Sequence, residues 1–151
     1  MSTYTLRRET LIRASLHEVW TFFSSPHNLG RITPKYMDFR VTHCPDVPEI
    51  YTGMEIAYEI RPVLGIPLQW LTLIRDVQAP YTFTDVQLKG PYRSWVHIHT
   101  FREEQEGVHM SDEITYALPL GMLGQLAHSL FVRRQLEYIF DYRTCVIRDF
   151  F

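Results

Sequence analysis

Four polar side chains in the middle of the chain have types and spacings suited to chemistry. His97 and His99 stand two apart in SWVHIHTF, Asp85 precedes them in TFTDVQL, and Asp112 follows in VHMSDEITYAL. A strand turns successive side chains to opposite faces. Trp95, His97, His99 and Phe101 therefore share a face, which sets two imidazoles between two large aromatic rings. Such a group has four possible uses. An imidazole oriented by a carboxylate moves protons near neutral pH. Two imidazoles and a carboxylate hold a transition metal. The same groups form polar spots on an apolar cavity wall, or a hydrogen-bonded network that fixes strand register.

Asp112 decides which way this face points. Val108, Met110, Asp112, Ile114, Tyr116 and Leu118 alternate onto one side of their strand, and Asp112 is the single carboxylate among them. A buried charge needs a partner, and His97 and His99 on the preceding strand offer one, so the Trp95–Phe101 face turns inward. Parity brings in Phe83, Asp85 and Gln87 from a second strand, Trp70 and Thr72 from a third, and Tyr58 from a fourth. The expected ligand-binding wall is thus Tyr58, Trp70, Thr72, Phe83, Asp85, Gln87, Trp95, His97, His99, Phe101, Asp112 and Tyr116. Leu126 and Leu130 on the last helix close it. If the chain is an enzyme, His97, His99 and Asp112 are the catalytic candidates.

The elements that must position these residues follow from local signals. TYTLRRETLIR alternates as a first strand, and Ser15-Leu16-His17-Glu18 has the spacing of a capping box, with Ser15 opening a short helix that buries Val19, Trp20, Phe22 and Phe23. Ser25-Pro26 starts a second short helix with proline at its first position. From MDFRVTH onward, short alternating runs are separated by Gly and Pro turns, which favours an antiparallel meander. At Gly121 the period changes from two to about 3.6. Leu123, Leu126, Ala127, Leu130 and Phe131 fall on one side, continued by Leu136, Ile139, Phe140 and Val146. A helix of about 25 residues would be about 40 Å long. The predicted class is α+β: a curved antiparallel sheet of about six to seven strands wrapped around a long C-terminal helix, with two short helices after the first strand.

Size and charge narrow the function. The chain has 151 residues and a formal charge of −2, which suits one domain with a sizeable core and gives no electrostatic reason to expect nucleic acid or an anionic membrane. MSTYTLRRETLIRAS does not read as a secretory signal, and no apolar stretch is long enough for a stable membrane insertion. Cys44 and Cys145 are far apart, without CxxC spacing, as expected of free thiols in a cytoplasmic protein. No nucleophile motif or phosphate loop is present, and no third histidine falls where it would complete a metal site. No cofactor or metal is therefore assigned.

The order of elements, together with LGIPLQWLTLI, FTDVQLKGPYRSWVHIHTF and MSDEITYALPLGMLG, resembles the START-like helix-grip superfamily. That superfamily includes pollen-allergen-like carriers, lipid-transfer START domains, polyketide cyclases and coenzyme-Q-binding proteins. More narrowly, the chain resembles bacterial ligand-binding SRPBCC proteins. The resemblance spans residues 1–151 as one domain and implies a cavity between sheet and C-terminal helix. It implies little about chemistry, because such a fold hosts many functions. The expected function is to carry or sense a small hydrophobic or amphipathic molecule, lipid-, isoprenoid- or polyketide-like. A cyclase or dehydratase using a His–Asp pair is the alternative, and a protein-interaction module with an unspecified partner is the third reading.

Overall fold

A computed structural model describes residues 2–151. Seven strands form one antiparallel sheet in the order β1-β7-β6-β5-β4-β3-β2. They are β1 (Tyr4–Ile12), β2 (Arg40–His43), β3 (Glu55–Ile60), β4 (Leu68–Gln78), β5 (Thr82–Lys89), β6 (Ser94–Glu104) and β7 (Gly107–Ala117). Strands β2 to β7 form a meander, each pairing with the next. The first strand instead pairs with the last, Tyr4 opposite Tyr116 through Ile12 opposite Val108. Between β1 and β2 lie helix α1 (Leu16–Phe23), a 3-10 helix over Pro26–Ile32, and a single 3-10 turn over Lys35–Met37.

Local chemistry explains the entry to α1. Ser15 Oγ accepts from the Glu18 N–H at 3.1 Å, and Glu18 Oε2 accepts from the Ser15 N–H at 2.9 Å. This reciprocal cap satisfies two N–H groups that the first turn cannot pair within the helix. Val19, Trp20 and Phe22 are then buried, Trp20 against Phe83 and Phe101 of the sheet and Phe22 against Phe150 and Phe151 at the C-terminus.

The C-terminal helix departs from the regular period. Helix α2 (Gly121–Ala127) passes through a π-helical turn, His128–Val132, into α3 (Arg133–Phe150). In α3 the buried residues Leu136, Ile139, Phe140, Arg143 and Ile147 keep α spacing. Continued back at that spacing, the stripe would reach Ser129 and Gln125. The π turn holds one additional residue per turn, so the buried positions shift to His128 and Gly124. At Gly124 a side chain would collide with the Pro119 carbonyl; only glycine lets α2 lie this close to the end of β7. The shift also overturns one expectation. Leu126 and Leu130 are 56% and 68% exposed and point away from the sheet.

Sheet and helix enclose two apolar clusters. One gathers Trp20, Phe83, Phe101, Val108 and Met110 beneath α1. The other gathers Trp70, Trp95, Ile114, Tyr116, Leu136 and Phe140 beneath α3. No helix among the described residues is long and apolar enough to cross a membrane.

Candidate ligand cavity

Between the concave sheet face and the helix lies a cavity of about 470 Å³. Eight of the residues expected in its wall line it: Tyr58, Trp70, Thr72, Phe83, Asp85, Trp95, His97 and His99. Strand alternation brings them together. Tyr58 is opposite Trp70 across β3 and β4, and the two rings stack at 5.8 Å between centroids. Trp70 meets Trp95 edge-on at 5.3 Å. Tyr58 Oη and Thr72 Oγ1 are 3.3 Å apart, and burial pushes the Tyr58 phenol well above its usual range.

A belt of two carboxylates and two imidazoles separates the apolar clusters. Across the strands Asp85 is directly opposite His97, and His99 directly opposite Asp112. The short hydrogen bonds run diagonally instead. His97 Nε2 bonds Asp112 Oδ1 at 2.7 Å, and His99 Nε2 bonds Asp85 Oδ2 at 2.6 Å. The direct pairs are looser: His97 Nδ1 is 3.6 Å from Asp85 Oδ2, and His99 Nδ1 is 3.4 Å from Asp112 Oδ1. Diagonal neighbours on one face are within reach of long side chains, and here the ring is what supplies the reach. The imidazoles stack on each other at 3.7 Å, and His99 stacks on Phe83 at 4.1 Å. Each histidine thus touches both carboxylates.

Burial alone would raise both carboxyls, but the adjacent histidines, and more weakly Arg143, outweigh it and hold Asp85 and Asp112 below their ordinary value. Burial, reinforced by His97, lowers His99 despite its two acidic neighbours. Burial also lowers His128, with help from Arg133. The two histidines set a pH dependence. Unfolded, each takes up a proton near 6.5, whereas folded it does so only at lower pH. The unfolded chain therefore binds more protons in that window, so their stabilisation is complete above it and declines as the pH falls. The carboxylates act lower still, losing theirs only as the pH drops through their depressed folded values. The melting temperature is expected to fall from about pH 7.5 to about pH 5, and to fall less steeply in His128→Gln. A flat profile in the wild type would contradict the assignment.

Six expected wall residues do not line the cavity. Asp112 is behind the histidines, bonded to His97. Gln87 turns to the β5–β6 connection, where its Nε2 donates to the Tyr92 carbonyl at 2.7 Å and its Oε1 accepts from the Tyr92 N–H at 3.1 Å. Phe101 fills the cluster beneath α1, against Trp20, Phe23 and Phe83. Tyr116 reaches across to the π turn, its hydroxyl 2.8 Å from His128 Nε2, and burial pushes its phenol up to about 12. Leu126 and Leu130 face solvent, and Leu123, Gly124, Ala127 and Phe131 take their place at the wall.

Strand parity does not assign every wall residue, and Tyr92 and Arg143 are two that it leaves out. Tyr92 packs on Trp95 at 4.9 Å from within a turn, where strand parity gives no signal. By residue type alone Arg143 suits either a solvated helix face or an inward position that binds an anionic ligand head. Its place three residues after Phe140 and four before Ile147, on the apolar stripe of α3, is the signal that it points inward.

One metal-compatible set is present among the described residues. Single atoms of Asp85, His97 and His99 lie within 4.8 Å of one another. The carboxylate of that set is Asp85. In the structure these groups are hydrogen-bonded among themselves and to Asp112.

No protein-family model matches the chain, and no curated protein matches it significantly. Solved structures do. The protein TTHA0849 from Thermus thermophilus matches with a TM-score of 0.75 at 15% identity, over 97% of this chain and 95% of that one. Protein CV1439 from Chromobacterium violaceum matches with a TM-score of 0.74 at 10% identity, over 96% and 95%. The major latex-like protein 151 of Panax ginseng matches with a TM-score of 0.69 at 16% identity, over 97% and 96%. At these identities the likeness establishes the helix-grip fold.

Proposed function

We propose that the chain is one START-like ligand-binding domain of the SRPBCC kind, a cytoplasmic carrier or sensor of a small hydrophobic or amphipathic molecule. The observation that carries this reading is the cavity itself. Its volume of about 470 Å³ falls within the range typical of small-molecule sites, and so does its make-up, aromatic walls with a few convergent polar groups. Eight of the wall residues read from the sequence, Tyr58, Trp70, Thr72, Phe83, Asp85, Trp95, His97 and His99, form the proposed site.

The neutral fluorescent probe N-phenyl-1-naphthylamine tests it. The probe is expected to bind at micromolar concentration. Trp70→Ala should weaken that binding about tenfold, or about 1.4 kcal/mol, while the chain stays folded. No binding by this probe and no apolar molecule extracted from the purified protein would sink the reading.

The two His–Asp pairs support a second reading, a cyclase or dehydratase acting by proton transfer. An imidazole held in one orientation by a carboxylate is suited to that role. It requires turnover with a bell-shaped pH profile that disappears in His97→Gln and His99→Gln. Turnover that survives both replacements would exclude the pairs as the catalysts.

A further inference from the structure

We infer that the ligand carries a carboxylate and that the Arg143 guanidinium binds it as a two-pronged ion pair. The inference rests on the cavity reading above and names the ligand's polar end.

Arg143 is 9% exposed and lines the cavity. Its guanidinium carbon lies 4.8 Å from the centroid of the Phe140 ring. Its Nε is buried without an acceptor, and among the described residues the side chain forms no hydrogen bond and no ion pair. An arginine stays charged inside a protein, and a buried charge without a partner is costly. Asp85 and Asp112 are near enough for their charge to bear on Arg143. Each is already bonded to a histidine, through the 2.6 Å and 2.7 Å contacts, and neither forms a hydrogen bond to Arg143. They temper the isolation of the guanidinium without occupying its donors.

A second buried donor lines the same cavity without an acceptor, Trp70 Nε1. Tyr58 links the two places: it stacks on Trp70 and is close enough to Arg143 for the cation to affect its phenol. What these two side chains lack is an acceptor, and the ligand is the group able to bring one. A ketone or ester carbonyl would accept a hydrogen bond yet leave the positive charge uncompensated. A carboxylate supplies two coplanar oxygens that match the guanidinium fork and neutralises it. The apolar body of the ligand would then lie among Trp70, Trp95, Leu136 and Phe140.

Calorimetric titration at about pH 7.5, where a carboxylic acid is ionised, decides the matter. The probes are octanoate and 2-naphthoate, each paired with its methyl ester, on the wild type and on Arg143→Met. Each acid is expected to bind the wild type at least tenfold more tightly than its ester. In Arg143→Met the acid should drop to the level of the ester, and the ester should lose far less than the acid. Equal affinity of acid and ester in the wild type would overturn the inference and leave the apolar-cavity reading intact. So would discrimination that survives in Arg143→Met. If that variant does not fold, Arg143→Lys replaces it, and a charge without the fork should lose most of the preference. If none of the four probes binds and N-phenyl-1-naphthylamine does not bind either, the cavity reading falls and takes this inference with it.

Discussion

Replacing Asp112 with alanine is expected to cost about 3–5 kcal/mol of folding stability. Asp112 is buried and outside the cavity lining, with His97 Nε2 at 2.7 Å and His99 Nδ1 at 3.4 Å from the same oxygen. Alanine would strip His97 of its acceptor and remove the carboxylate beside His99, in a place water does not reach. Removing one partner of a buried polar set is costlier than never having built it, because the survivor keeps its desolvation penalty. Asp112→Asn, which keeps the shape and one acceptor, should lose less. Urea unfolding measures both, and a shift of the midpoint at constant slope reports stability itself. A loss below about 1 kcal/mol, the ordinary net worth of a single hydrogen bond, would mean that the belt is held without Asp112.

Phe101→Ala is expected to cost a similar amount, about 3–5 kcal/mol. The ring is 1% exposed and is met edge-on by Trp20 at 5.9 Å, with Phe23 at 5.5 Å and Phe83 at 6.3 Å on other sides. These neighbours come from α1 and the sheet, which cannot both close over the space left behind, so a void adds to the lost burial. Ligand affinity supplies the contrast. Phe101 does not line the cavity, so N-phenyl-1-naphthylamine should bind Phe101→Ala better than it binds Trp70→Ala. The reverse order would put Phe101 back in the wall where strand parity places it.

The contrast between Trp70 and Phe101 shows how far parity carries. Trp95, His97, His99 and Phe101 share the buried face of β6, and alternation alone puts them together. But a strand of 11 residues passes under more than one part of the domain. Its Trp95 end lies under α3, its histidines border the cavity, and its Phe101 end lies under α1. Facing inward and facing the ligand are different properties. Gln87 makes the same point, because its side chain is drawn sideways by the backbone of Tyr92.

Features that depend on neighbours along the chain are legible before any tertiary contact is known. The Ser15 capping box, the alternation of β6 and β7, the meander and the change to helical period at Gly121 are all local, each set by contacts within a few residues. The isolation of Asp112 on an apolar face is legible too, and with it the need for a histidine partner. Other features exist only in the assembled fold. The pairing of β1 with β7 joins the two ends of the chain's strand series. The diagonal bonds of His97 to Asp112 and His99 to Asp85 depend on register and on ring orientation across three strands. The π turn at His128–Val132 shifts the helix by one residue, moving Leu126 and Leu130 out and Gly124 in. The turn accompanies the contacts of His128 with Tyr116 and Tyr4, the latter near the opposite end of the chain. Periodicity reports a face averaged over turns, whereas a cavity is the space that several faces leave between them, and that space exists only once they are assembled.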